Sequence, residues 1–153
     1  MSREDVDELR ARLGAAAQVY QLAVDALDET VAGHLGINRT DLRCLDLLWQ
    51  AGSATPGVLG TRLGLTTGSV TAMIDRLAKL GYVTRSPDPN DRRKVVVRPT
   101  DTILDKSREI YAPIVAGGNE LLAKYSEEEL ELLIDFQLRS RAMQEEHLKR
   151  LRG

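Results

Sequence analysis

Between Thr55 and Gly81 the chain is punctuated so closely that only two short helices and a tight turn fit between the marks. Thr55 followed by Pro56 opens the first helix, because a proline at the first helical position lacks only a donor that would be unpaired anyway. Leu59 and Leu63 give that helix one apolar side, and Gly64 ends it. After the Gly64-Leu65 turn, Thr66 can cap a second helix with Val70, Met73, Ile74, Leu77 and Leu80 along one side and Gly81 as its stop. Two helices joined so tightly form a helix-turn-helix candidate.

The residues after Gly81 narrow the architecture further. Tyr82 to Arg85 reads as a short strand, Pro87-Asp88-Pro89-Asn90-Asp91 as a turn, and Lys94 to Arg98 as a returning strand rich in β-branched residues. A hairpin directly after a helix-turn-helix is a winged-helix arrangement. Upstream, Val6, Leu9, Leu13, Ala16 or Ala17, Tyr20, Val24, Leu27 and Val31 recur every three or four residues. A helix of that length reaches roughly 40 Å at 1.5 Å per residue, more than a small domain covers with its own core, so a partner chain is its natural cover. Thr40 is expected to cap a short helix carrying Leu42, Leu45, Leu48 and Trp49 and stopped by Gly52. Thr100 is expected to cap a helix carrying Ile103, Ile110 and Ile114, which Pro113 and Gly117-Gly118 should bend or interrupt. A last helix opens at Ser126 with Glu129 three residues on, a capping-box pattern, and Leu148 and Leu151 can extend it. The fold class expected is mainly α with a small β-hairpin wing: a helical dimerisation region at residues 1–38 and 100–153, and a winged helix-turn-helix lobe at residues 39–99.

The 153 residues suffice for one ordinary domain, and 42% apolar with 29% charged residues is a globular composition. No apolar run approaches the roughly 18 residues needed to cross a bilayer, and the acidic N-terminus is unlike a signal peptide, so no membrane partner and a cytoplasmic location are expected. The net charge of −2 hides an asymmetry. Residues 39–98 hold ten Lys and Arg against five Asp, a net +5, so the remainder carries −7. A basic middle between acidic ends suits a polyanion-binding module mounted on a separate scaffold.

A helix that enters the major groove presents short polar or basic residues opposite its core stripe. On the helix after Thr66 those positions are Thr67, Gly68, Ser69, Thr71, Ala72, Asp75, Arg76 and Lys79. The hydroxyls can bond bases or phosphates, Gly68 and Ala72 permit close approach, and Arg76 is the candidate for a bidentate contact. The bland alternative is that the threonines are only caps and Arg76 a solvated charge paired locally with Asp75. At the hairpin, Arg92, Arg93 and Lys94 repel one another unless an anion is near, and Asp91 is expected to hold a neighbouring Arg by a bidentate pair. An Arg there can also enter a narrow A·T-rich minor groove. Thr55 and Arg85 complete the candidate DNA-binding set.

The stretch from Leu77 to Arg85, with Pro87-Asp88-Pro89-Asn90-Asp91-Arg92-Arg93 and Val95 to Thr100, resembles the recognition-helix end and wing of the MarR family of transcription regulators. The family's Asp-Arg wing signature falls on Asp91, Arg92 and Arg93, and Pro99 stands where the family commonly carries Leu. The resemblance implies a homodimer built from the first and last two helices, a recognition helix in each major groove and a wing Arg in the flanking minor groove. It further implies a double-stranded, pseudo-palindromic operator, repression, and release by a small aromatic or phenolic effector.

Other classes find less support. Gly64 to Ser69 lacks the lysine of a phosphate loop, and His34 and His147 are isolated, so no enzyme, metal or cofactor is expected. Cys44 is the only cysteine, which rules out an intrachain disulfide. An oxidant-sensing regulator acting through Cys44 is one alternative, with Arg43 beside it to lower its pKa if the thiol is exposed. A winged-helix module that binds protein is another, although the chain has few of the aromatic anchors such an interface uses.

Overall fold

A computed structural model of the chain describes residues 3–152. Its elements run α1 (Arg3–Leu35), α2 (Arg39–Ala51), α3 (Pro56–Leu63), α4 (Thr67–Lys79), β1 (Val83–Pro87), β2 (Val95–Pro99), α5 (Asp101–Leu122) and α6 (Glu127–Arg152). This is the helix and hairpin order read from the sequence. Contacts group the chain into two compact units, one reaching Arg108 and one beginning at Glu109.

The first unit holds the core. Val31, Ala32 and Leu35 at the end of α1 are buried, together with Leu42, Leu45 and Leu48 of α2, Leu59 and Leu63 of α3, and Val70, Met73, Ile74 and Leu77 of α4. Cys44 of α2, Tyr82, Val83, Val96, Val97 and Ile103 complete its apolar part. Strands β1 and β2 pair antiparallel from Val83 opposite Pro99 to Pro87 opposite Val95. Ala54 adds a single antiparallel bridge to the other edge of β2. Its N–H donates to the Val97 carbonyl at 3.1 Å, and Val97 returns the bond at 2.8 Å. That bridge fastens the wing to the segment leading into α3, and no local sequence signal announced it.

Helix ends fall mostly where the punctuation put them. The Thr55 hydroxyl accepts from the Val58 N–H and that of Thr66 from the Ser69 N–H, both at 3.3 Å. Gly52, Gly64 and Gly81 all have positive φ, the conformation in which a residue without Cβ ends a helix cheaply. The cap of α2 is different from expectation: Asn38, not Thr40, takes the extended conformation, and its Oδ1 accepts the Asp41 N–H at 2.8 Å. Thr40 is already helical and lies inside the first turn, one of whose orphan donors the Asn38 amide oxygen has already met. Trp49 and Leu80, expected inward, are about half exposed. Leu48 takes the inward place beside Trp49, and Leu80 lies past the last helical residue of α4.

Helix α5 is not interrupted. It runs unbroken through Pro113, Gly117 and Gly118, none of which has positive φ. A glycine in a helix interior costs about 1 kcal/mol but stops the helix only when its backbone turns left-handed. In the second unit, α6 opens with the expected reciprocal cap: the Ser126 N–H donates to Glu129 Oε2 at 2.8 Å and the Glu129 N–H to Ser126 Oγ at 3.3 Å. No residue of α6 is buried, and Leu132, Leu133, Ile134, Phe136, Leu138 and Leu148 are all exposed. Among the described residues no helix is long and apolar enough to cross a membrane.

Candidate nucleic-acid interface

Helix α4 buries Val70, Met73, Ile74 and Leu77, which turns Thr67, Gly68, Ser69, Thr71, Ala72, Asp75, Arg76 and Lys79 outward. Its first turn is closely organised. Thr66 and Ser69 share a hydroxyl hydrogen bond of 2.9 Å, and Thr71 donates to the Thr67 carbonyl at 3.0 Å. Thr55 caps α3 through its oxygen, so its hydroxyl hydrogen stays available to an acceptor. A cavity of about 220 Å³ lies between α3 and α4, lined among others by Pro56, Gly60, Thr61, Leu65, Thr67 and Val70. Gly60 lets the two helices approach: a Cβ there would stand 3.2 Å from Val70 Cγ2.

Two of the expected DNA-contacting arginines are held by carboxylates. Arg85 on β1 donates to Asp75 of α4 at 2.6 Å, which ties the wing to the helix beside it. Arg76 pairs with Asp41 of α2, its Nη2 lying 2.7 Å from Oδ1 and its Nε 3.3 Å from Oδ2. This pair holds the guanidinium above the usual arginine range, chiefly through the hydrogen bond to the carboxylate. In sequence the nearest carboxylate to Arg76 is Asp75. The structure gives Asp75 to Arg85 instead.

At the wing tip Asp91 does not form the bidentate arginine pair expected of it. Its Oδ1 accepts the Arg93 N–H at 3.2 Å, and its carboxylate sits 3.6 Å from Arg93 Nε and 3.9 Å from Lys94 Nζ. A carboxylate two residues before an amide closes an Asx turn more readily than it reaches a neighbouring guanidinium. Asp88 does the same for Asn90 at 2.8 Å, and the Asp88 N–H donates to the Lys94 carbonyl at 2.8 Å to close the loop. The turn is therefore held by carboxylates turned toward backbone, while Arg92, Arg93 and Lys94 project into solvent, Arg93 with 95% of its side chain exposed.

Two residues outside the expected set support this surface. Tyr82 is buried at the root of β1, and its hydroxyl donates to the Leu35 carbonyl at 3.0 Å, anchoring the wing to the end of α1. Asp41 is the other, and its signal was present in the sequence. It stands four residues before Leu45 and seven before Leu48, a charge on the apolar stripe. Cys44 is fully buried, and burial, reinforced by the Asp41 charge, pushes its thiol up to about 12. Alkylation of the folded protein at pH 8 is accordingly expected to run on the order of 1,000-fold slower than for an ordinary cysteine, whose pKa is about 8.5. Equal rates in native buffer and in denaturant would refute that.

Comparison with known proteins gives a consistent result. The model of the MarR family matches residues 37–95. An uncharacterised helix-turn-helix-type transcriptional regulator of Bacillus subtilis, YcgE, is 44% identical over 81% of this chain and 80% of its own length. Among solved structures, a cysteine-to-serine variant of MarR from Escherichia coli complexed with operator DNA is 26% identical, covering 84% of this chain and 92% of that one with a TM-score of 0.54. A transcriptional regulator from Thermotoga maritima shares the fold with a TM-score of 0.63 at 21% identity, over 91% of this chain and 98% of that one.

Proposed function

The chain belongs to the MarR family of transcriptional regulators, and from that membership we propose that it binds a pseudo-palindromic duplex operator as a homodimer and represses by occlusion. The observation that carries the reading is the Arg85–Asp75 bridge, which ties a hydroxyl-rich helix face and a cationic hairpin into one surface. Thr67, Gly68, Ser69, Thr71, Ala72 and Arg76 then meet base edges in the major groove, whose donor and acceptor pattern distinguishes all four base pairs. Thr55, Arg85, Arg92, Arg93 and Lys94 meet phosphates or the flanking minor groove, with Asp91 shaping the turn that presents them. The exposed apolar side chains of α1 and α6 supply the material for a dimer interface, with residues 1–38 and 100–153 as the dimerisation region. Two recognition helices spaced roughly 34 to 36 Å apart reach successive major grooves on one side of the duplex.

Release by a small aromatic or phenolic effector belongs to the same proposal. A coupling of about 1–3 kcal/mol between effector and operator changes affinity by roughly 5- to 150-fold, enough for a regulatory response.

The test is selection from a pool of random duplexes across a salt series, with sequencing of the bound fraction. Convergence on a pseudo-palindrome, with affinity falling on the order of 1,000-fold or more between 50 and 200 mM salt, is the expected outcome for about 6 to 10 phosphate contacts. A pool that neither converges nor responds to salt would move the assignment to a protein-binding winged helix.

A further inference from the structure

Asp41 is the one charged or polar residue in the core of the described chain, with 2% of its side chain exposed, while its partner Arg76 keeps 50%. A carboxylate taken out of water is costly, and an apolar side chain of similar size usually packs at least as well in its place. The pair also joins residues 35 positions apart on two different helices, α2 and α4. Its geometry indicates what it does besides hold those helices together.

The guanidinium is planar and carries five N–H donors. The contact with Asp41 is side-on, using the Nε hydrogen and one hydrogen of Nη2. Three hydrogens remain, both on Nη1 and the second on Nη2. One from each nitrogen forms a fork at the far end of the group, and two parallel N–H bonds of that kind match the O6 and N7 of guanine or two oxygens of a phosphate. A free arginine side chain samples many directions and loses that freedom on binding. Here the carboxylate has already set the plane of the group and left its far end half exposed.

We infer that Asp41 is a positioning residue for nucleic-acid recognition: buried beneath α4, it aims the free fork of Arg76 at an acceptor pair on the duplex. The inference rests on the proposal that α4 enters DNA. Asp41 touches no nucleotide itself and acts wholly through Arg76. Its part in capping α2 is played by its backbone N–H, which donates to Asn38, so Asp41→Asn preserves the start of α2 while removing the charge.

The experiment measures dissociation constants on the selected duplex, and on its single-base-pair variants, for wild type, Asp41→Asn, Arg76→Met and the double variant. Each is measured over a salt series, with circular dichroism recorded to verify the fold. Asp41→Asn is expected to weaken binding at least five-fold, and to have no further effect once Arg76 is Met. Loss confined to one base pair identifies a guanine edge as the acceptor; uniform loss with a salt slope smaller by about 1 identifies a phosphate. Arg76→Lys keeps a cation on Asp41 but has no fork, so it is expected to reproduce the loss in binding while retaining the fold. Should Asp41→Asn weaken binding equally in the Arg76→Met background, its role is structural and the inference fails. Tight binding by wild type with an unchanged Asp41→Asn constant overturns the inference alone. A wild type that binds no duplex overturns the proposed function with it.

Discussion

Aspartate placed at both Leu9 and Leu13 is expected to yield a folded monomer whose affinity for the selected duplex is lower by at least 100-fold. Leu9 is 46% and Leu13 52% exposed in the single chain, and the buried residues of α1 are Val31, Ala32 and Leu35 near its far end. The substitutions therefore remove nothing from the chain's own core. With 33 residues α1 extends about 50 Å at 1.5 Å per residue, and most of its apolar stripe finds no cover within the unit that contains it. Burying a leucine against a partner is worth about 1.5–3 kcal/mol, and a carboxylate in its place reverses the sign. Two such changes on each protomer fall on both sides of a two-fold interface, so their cost is counted twice. Losing the second half-site removes the avidity of linked binding, which is typically about 10²- to 10⁴-fold. Light scattering coupled to size exclusion reports the mass, and a dimer that persists with unchanged affinity would show that the stripe of α1 serves something other than association.

Arg92→Ala and Arg93→Ala together are expected to weaken binding to every duplex by roughly 100-fold at 0.1 M salt and to lower the salt slope by about 2. Each phosphate neutralised releases close to one counterion, so each arginine is worth about tenfold at that salt relative to 1 M. Base preference should hardly change, because phosphate contacts carry no direct sequence information. Stability should not fall either. The wing turn is closed by Asp88 and Asp91 through backbone amides, and Arg93 meets Asp91 only at 3.6 Å, outside hydrogen-bonding range. Titrations of the double variant at several salt concentrations read both quantities, and a slope equal to that of wild type would remove the wing from the interface. This pattern differs from that expected for Asp41→Asn, where a guanine acceptor gives a loss tied to one base pair.

Much of this surface was legible before the fold was known. Thr55-Pro56, Thr66, Gly64 and Gly81 mark the two helices of the reading head, and the exposed residues of α4 are those the periodicity turned outward. The basic wing was also visible as composition. Partnerships were not. Arg85 meets Asp75 ten positions away and Arg76 meets Asp41 thirty-five away, and local pattern does not rank the carboxylates along the chain as partners.

By itself the sequence determined where helices begin and end and which faces they bury, because capping, positive φ and a 3.6-residue repeat are satisfied within a few neighbouring residues. The exceptions were small and local: Asn38 capping in place of Thr40, Trp49 and Leu80 left about half exposed, and Pro113 with Gly117-Gly118 carried through α5. Only the tertiary structure decided that Ala54 pairs with Val97, that Tyr82 reaches Leu35, and that Asp41 lies under Arg76. Each of these contacts joins positions 35 or more residues apart, and the packing of α1 to α4 and the wing closes the chain between them. A buried charge on an apolar stripe announces that a partner must exist, but which partner it meets is set by how those elements pack.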